Sequence, residues 1–180
     1  MSPWGGGKEN DNKVEKSMTT KNKNLSKTEG NRVPSAKGMR FAVVYAEWNS
    51  EITQALCLGA KNTLIRYGAD KENISEQAVP GSFELVLGAQ LMAEKTYVDA
   101  VICIGCVIKG ETPHFDFICG AVANGITQLN IKYNKPVIFG VLTTNNLKQA
   151  KDRAGGGHGN KGDEAAVTAI KMLELKSRVK

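Results

Sequence analysis

His114 is one of two histidines in the chain and follows Gly110-Glu111-Thr112-Pro113, at the end of the apolar run Ala100–Ile108. A strand's carboxyl end leading straight into a helix is where α/β proteins hold anions and do chemistry. Backbone N–H groups from Gly110 to Thr112 and the first helical turn would hold a phosphate, with the Thr112 hydroxyl assisting. Pro113 fits the first helical position, where its missing N–H is not needed. His114 then lies within a turn of that anion, and an imidazole moves protons near neutral pH. The implied chemistry is proton transfer beside a phosphorylated small molecule. The same residues also read as a well-capped helix with an incidental surface histidine, and the segment alone does not separate the two.

Three other groups bear on this. Trp48, within Glu47-Trp48-Asn49, reads either as core or as an exposed ring able to stack on a flat heterocycle. Gly157-His158-Gly159-Asn160-Lys161-Gly162 matches G-x-G-x-x-G, but that motif works only after a strand and ahead of a helix, and here a helix precedes it. It reads instead as a flexible glycine-rich loop carrying Arg153, His158 and Lys161, either a plain linker or part of a site. Of the four cysteines, Cys103 and Cys106 lie three apart in a β-branched run, so they face opposite sides of a strand. No second pair has metal spacing, so the expectation is buried free thiols in a reducing cytoplasm, with no metal and no cofactor.

From Met39 the chain alternates strand and helix. Strands are expected at 40–45, 74–79, 100–107 and 136–143. Helices are expected at 50–67, 82–94, 113–133, 145–154 and 163–179. Four short strands alternating with helices imply a parallel sheet covered on both faces, a three-layer α/β/α sandwich that is flavodoxin-like in outline. Its ligand end collects 46–49, 79–84, 108–114 and 142–145.

Residues 1–38 hold eight Lys or Arg and four acids, so four of the six net positive charges lie there. This stretch is polar and aperiodic, and a disordered basic tail is expected. It has neither the apolar core of a secretory signal nor the acid-poor composition of a transit peptide. It reads as a solvated tail, with a nucleic-acid arm as the alternative, and the domain proper is expected at 39–180. No segment is apolar enough to span a membrane.

Ala46-Glu47-Trp48-Asn49, Val79-Pro80-Gly81-Ser82-Phe83-Glu84, Gly110–Asp116 and Arg153-Ala154-Gly155…Gly159-Asn160-Lys161-Gly162, in this order and spacing, resemble the lumazine synthase family from about Met39 to Leu175. The resemblance implies condensation of 5-amino-6-(D-ribitylamino)uracil with 3,4-dihydroxy-2-butanone 4-phosphate. The products are 6,7-dimethyl-8-ribityllumazine, phosphate and water, in the penultimate step of riboflavin biosynthesis. By resemblance, Trp48 stacks on the pyrimidine, with Asn49 beside it. Ser82, Phe83 and Glu84 bind the ribityl chain, and Val107, Ile108 and Lys109 form the segment that reads the uracil edge. Gly110, Glu111 and Thr112 form the phosphate turn, Arg153 pairs with the phosphate, and His114 is the proton shuttle. Phe139 and Lys161 complete the set.

In the family the site lies between subunits of a pentamer, so Phe139 and Arg153 would serve an adjacent chain's pocket. The loop from Arg153 to Lys161 carries no insertion, which favours a sixty-subunit icosahedral shell over a free pentamer. Many members carry Phe where this chain has Trp48. The larger ring should stack better on flavin-like heterocycles, so riboflavin joins riboflavin synthase among the partners the resemblance raises. Glu111 sits beside the phosphate turn, and its charge opposes a phosphate unless the side chain turns away. The rival readings are a catalytically silent flavin-binding homologue, an unrelated nucleotide-binding α/β domain, and a structural cage. An intact His114 and Arg153 argue against the first.

Overall fold

The computed structural model describes residues 33–179. The first strand, β1 (Phe41–Ala46), leads into α1 (Ser50–Arg66) and then β2 (Ile74–Val79). The chain continues through α2 (Leu85–Ala93), β3 (Ala100–Ile108), α3 (His114–Tyr133) and β4 (Val137–Thr144). It ends with α4 (Leu147–Arg153), the short strands β5 (Ala154–Gly156) and β6 (Gly159–Asn160), and α5 (Lys161–Arg178). The main sheet is four-stranded in the order β2-β1-β3-β4, and every pairing in it is parallel.

Side-chain alternation along the strands divides the core in two. On one face Phe41, Val43, Ile102, Ile104 and Leu142 pack with Ile52, Leu56 and Leu64 of α1 and Ala166 and Ile170 of α5. On the other, Val44, Val101, Cys103 and Val141 meet Leu85 and Ala89 of α2 and Val122 and Ile126 of α3. Each fully buried aliphatic or aromatic side chain here contributes about 1.5–3 kcal/mol. Cys103 and Cys106 fall in opposite layers, and all four thiols are free. The three-layer sandwich with a four-stranded parallel sheet is therefore as the alternation predicts.

Several details differ from expectation. Of the tail assigned to residues 1–38, residues 1–32 lie outside the described residues. Residues 33–38 pack onto the domain: Ala36 is buried and its N–H donates to the carbonyl of Tyr67 at 2.7 Å. The domain thus begins ahead of Met39. The segment Ser82–Glu84 is a turn rather than the first turn of α2, closed by Leu85 N–H donating to the Ser82 carbonyl at 3.3 Å. The glycine-rich loop is a small antiparallel hairpin, β5–β6, that feeds straight into α5.

That hairpin is locked to α1. Asn160 caps α5 by accepting from Gly162 N–H at 2.8 Å, and its Nδ2 donates to the Ala55 carbonyl at 2.9 Å. A Cβ on Gly162 would lie 1.9 Å from the Leu56 carbonyl oxygen, so glycine there permits backbone-to-backbone contact. The G-x-G-x-x-G string is a packing device.

Candidate active site

Beyond the carboxyl ends of the strands lies a cavity of about 560 Å³, within the range of small-molecule sites. Its lining is Trp48 and Asn49 after β1, Gly81 to Glu84 after β2, Cys106 to Ile108 at the end of β3, and His114 and Ile118 on α3. Eight of the residues expected from sequence are thereby brought together: Trp48, Asn49, Ser82, Phe83, Glu84, Val107, Ile108 and His114. Lys109, Gly110, Glu111 and Thr112 form the exposed turn that joins Ile108 to His114. Phe139, Arg153 and Lys161 do not line this chain's cavity.

Trp48 is 73% exposed and Phe83 56% exposed, so the core reading of Trp48 gives way to a ring open to ligand. Two backbone bonds hold the Trp48 loop against the β2–α2 loop: Glu47 N–H to the Val79 carbonyl at 2.8 Å, and Trp48 N–H to the Pro80 carbonyl at 3.1 Å. Ser82 is buried at the cavity's base, and Gly105 makes room for it. A Cβ on Gly105 would sit 2.8 Å from Ser82 Oγ and 2.9 Å from Leu85 Cδ1. A Cβ on Gly81 would lie 3.0 Å from a Glu84 carboxylate oxygen, so Glu84 folds back over that glycine.

The end of β3 has an open edge. Pairing with β1 stops at Tyr45 opposite Ile104, while pairing with β4 continues to Ile108 opposite Thr144. Lys109 N–H then donates to the Thr144 carbonyl at 2.8 Å. Because peptide groups alternate sides along a strand, those of Cys106 and Ile108 turn toward the vacated β1 side, where the cavity lies. A planar heterocycle with donors and acceptors on its rim can pair there as a strand would.

Helix α3 begins at His114, with Pro113 in the capping position at φ −63° and ψ −4°, and no side chain caps it. Thr112 therefore does not serve as the expected cap, and Pro113 stands one place earlier than expected. A Cβ on Gly110 would meet nothing within 4 Å, and its φ is not positive. Chain geometry does not demand a glycine there, and its absence of side chain leaves the N–H groups uncovered for an anion. Arg153, half-buried at the end of α4, donates from one guanidinium nitrogen to the Gln149 carbonyl at 3.0 Å. Lys161 Nζ is paired with Glu164 at 2.7 Å.

Gly81 falls in the 79–84 stretch expected at the ligand end, whereas sequence reasoning missed Cys106 and Ile118 as cavity wall and Gly105 beneath Ser82. The lone glycine inside an apolar strand run was the one available signal, since such glycines mark close approach. Among the described residues, no group of three or more His, Cys, Asp or Glu could hold a metal ion, and no helix is long and apolar enough to cross a membrane.

The chain is similar to known proteins over most of its length. The family model of 6,7-dimethyl-8-ribityllumazine synthase matches residues 38–177. A 6,7-dimethyl-8-ribityllumazine synthase of Cytophaga hutchinsonii is 61% identical over 156 residues, covering 87% of this chain and 98% of the relative. That of Parabacteroides distasonis is 54% identical, covering 88% and 99%. That of Flavobacterium johnsoniae is 52% identical, covering 89% and 85%. A matched span that takes in all four strands of the main sheet, the turn at 109–112 and His114 means that this chain belongs to the 6,7-dimethyl-8-ribityllumazine synthase family.

Proposed function

We propose that the cavity joins 5-amino-6-(D-ribitylamino)uracil to 3,4-dihydroxy-2-butanone 4-phosphate, releasing 6,7-dimethyl-8-ribityllumazine, phosphate and water, as a transferase of riboflavin biosynthesis. The observation that carries this reading is the convergence of Trp48, Ser82–Glu84, the open β3 edge and His114 on one cavity. The pyrimidine stacks on Trp48 and pairs with the main chain at Val107–Ile108 through the N–H and carbonyl of Ile108, which face the open β1 side. Its ribityl hydroxyls reach Ser82 Oγ, the Phe83 backbone and the Glu84 carboxylate. The phosphate of the second substrate rests on Gly110–Thr112.

The amine of the pyrimidine attacks the ketone, and loss of a first water gives an imine. Removal of a proton from the adjacent carbon expels phosphate and leaves an enol, which takes a proton at its terminal carbon to become a methyl ketone; the ribitylamino nitrogen attacks that ketone and closes the ring with loss of a second water. Each step moves a proton, and His114 stands between the turn and the cavity to carry it. Holding two substrates side by side supplies much of the acceleration.

The working unit of this reading is a homopentamer, built further into a sixty-subunit shell. Helix α2 is apolar nearly all round, and Leu87 and Leu91 are exposed along it, with Phe83 exposed in the turn before it and Phe117 and Ile131 exposed on α3. Exposed apolar area of this kind marks contact surface. Phe139 and Arg153 then complete the cavity of the adjacent copy. The four free thiols suit a cytoplasmic protein.

The direct test mixes purified protein with both substrates and follows lumazine absorbance and phosphate release, with the spontaneous rate subtracted. A rate no greater than spontaneous would refute the reading. Sharing of the site is tested by co-refolding His114→Ala and Arg153→Ala chains in equal amounts. A pocket with its own His114 and a neighbour's Arg153 forms in about a quarter of cases at random mixing, so about a quarter of full activity should return. No recovery would place both residues in one chain's pocket.

A further inference from the structure

Asn49 has an unusual geometry for the residue that opens a helix. Its backbone is left-handed, φ 60° and ψ 43°, a conformation that asparagine adopts more readily than most residues. An asparagine in this position ordinarily turns its side chain back to accept from the first helical N–H groups. Here no such cap forms. Its backbone carbonyl accepts from Ile52 N–H at 2.9 Å and Thr53 N–H at 3.1 Å, while its side chain leaves the helix altogether. Asn49 Nδ2 instead donates to the carbonyl of Cys106 at 2.9 Å.

Cys106 lies two residues past the last β1–β3 pair, where the ladder has lost its β1 partner. The Asn49 carboxamide makes one further rung in place of the strand that has turned away. It binds the loop bearing Trp48 to the strand edge bearing Ile108, two walls of one cavity. Trp48 N–H is fixed to Pro80 on the opposite side, so the Trp48 loop is tied to both neighbouring strand ends.

We propose that Asn49 is a positioning residue. Its side chain sets the spacing between the Trp48 ring and the Cys106–Ile108 edge, and so tunes the cavity for a flat heterocycle that must stack and pair at once. This rests on the condensation reading above for the identity of the heterocycle, but the strap itself is a property of the ligand-free protein.

Two variants test it. Asn49→Gly keeps the left-handed backbone and deletes the strap, and Asn49→Asp keeps the shape but replaces the donor with an acceptor facing a carbonyl. In ligand-free assembled protein, hydrogen exchange in the peptide covering Cys106–Gly110 should quicken in both variants. The KM for the pyrimidine should rise about tenfold, the scale of one lost hydrogen bond, while the KM for the phosphate-bearing ketone stays within about twofold. Trp48 emission, read in a Trp4→Phe background, should shift before any ligand is added.

Unchanged exchange and emission with a raised KM would overturn the proposal, because Asn49 would then act only by touching substrate. Quickened exchange with both KM values unchanged would also overturn it, leaving a strap without consequence for binding. Absence of lumazine formation by the unmodified protein would instead refute the condensation reading, and the exchange result would stand.

Discussion

Gly59 of α1 faces the Asn160 carboxamide, and the direction of its substitution should depend on what stands at 160. A Cβ on Gly59 would lie 2.5 Å from Asn160 Nδ2 and 2.7 Å from its Oδ1. Gly59→Ala must therefore displace the amide from both of its bonds, to the Ala55 carbonyl and from Gly162 N–H. Two such bonds, one of them a helix cap, are worth about 2 kcal/mol together. Against this stands a gain of about 0.5–1 kcal/mol from replacing glycine in a helix interior. The net expectation for Gly59→Ala is a loss of about 1–1.5 kcal/mol. In an Asn160→Ala background those bonds are already gone and the space is vacated, so the same substitution should stabilise by about 0.5–1 kcal/mol. The coupling between the two sites is then about 2 kcal/mol, measurable from urea midpoints of the four proteins in a double-mutant cycle. Gly162→Ala serves as a reference without relief, since its Cβ meets the Leu56 backbone at 1.9 Å and no side chain can yield. That variant should lose about 3 kcal/mol or more in either background. Additive effects of Gly59→Ala and Asn160→Ala within about 0.5 kcal/mol would refute the close docking of the hairpin on α1.

Four further outcomes are expected. His114→Ala should lower kcat about ten- to a thousandfold while leaving activity above the spontaneous rate, measured by lumazine absorbance; an unchanged kcat would remove His114 from the mechanism. Riboflavin should quench Trp48 emission in a Trp4→Phe background; emission unaffected at saturating riboflavin would count against stacking on this ring. Burial pushes the Cys57 and Cys103 thiols up to about 12 and that of Cys106 up to about 11, so a disulfide reagent at pH 8 should label partly exposed Cys119 first and these three only on unfolding. Burial alone would raise the Asp99 carboxyl, but the hydrogen bonds and charge of Arg40 outweigh it and hold the carboxyl below its ordinary value. The stability this pair supplies is complete above about pH 4 and is lost as pH falls through the lower folded value, so the gap in urea midpoint between the protein and its Arg40→Ala variant should narrow toward pH 3.

The sheet is legible because β1 and β3 are covered on both faces and β4 along most of its length. Phe41–Ala46, Ala100–Ile108 and Val137–Thr144 read as apolar runs for that reason. β2 is different. Glu76, Gln77 and Ala78 are exposed along it, since it is an edge strand, and Glu76 pairs with Lys61 of α1. What marks it in the sequence is the Pro80-Gly81 pair that follows Val79, a turn signal, rather than hydrophobicity. The start of α2 was misplaced because Ser82 resembles a helix cap, whereas it is spent on a turn that points Phe83 and Glu84 into the cavity. The order of residues near Ala36 was hidden by composition. A polar stretch with scattered apolar residues gives no period, yet Ala36 is fully buried and its N–H donates to the Tyr67 carbonyl.

The site divides along a similar line. What a single chain places in one cavity is what lies at strand ends, and a parallel sheet makes that neighbourhood predictable from sequence. Phe139 shows the limit. It sits mid-strand on β4, opposite Cys103, among Val137, Ile138, Gly140, Val141 and Leu142, all buried, and nothing in that run distinguishes it from core. It is nevertheless 42% exposed, because β4 is the sheet's other edge and α3 does not cover it there. Arg153 likewise stands outside its own chain's cavity, at the end of a helix whose last turn it braces through Gln149. An exposed aromatic on an edge strand and an arginine outside its own chain's cavity are what the shared site proposed above requires. Residue type alone cannot distinguish a side chain buried by its own chain from one awaiting a neighbour, so a site of that kind shows itself in exposure rather than in composition.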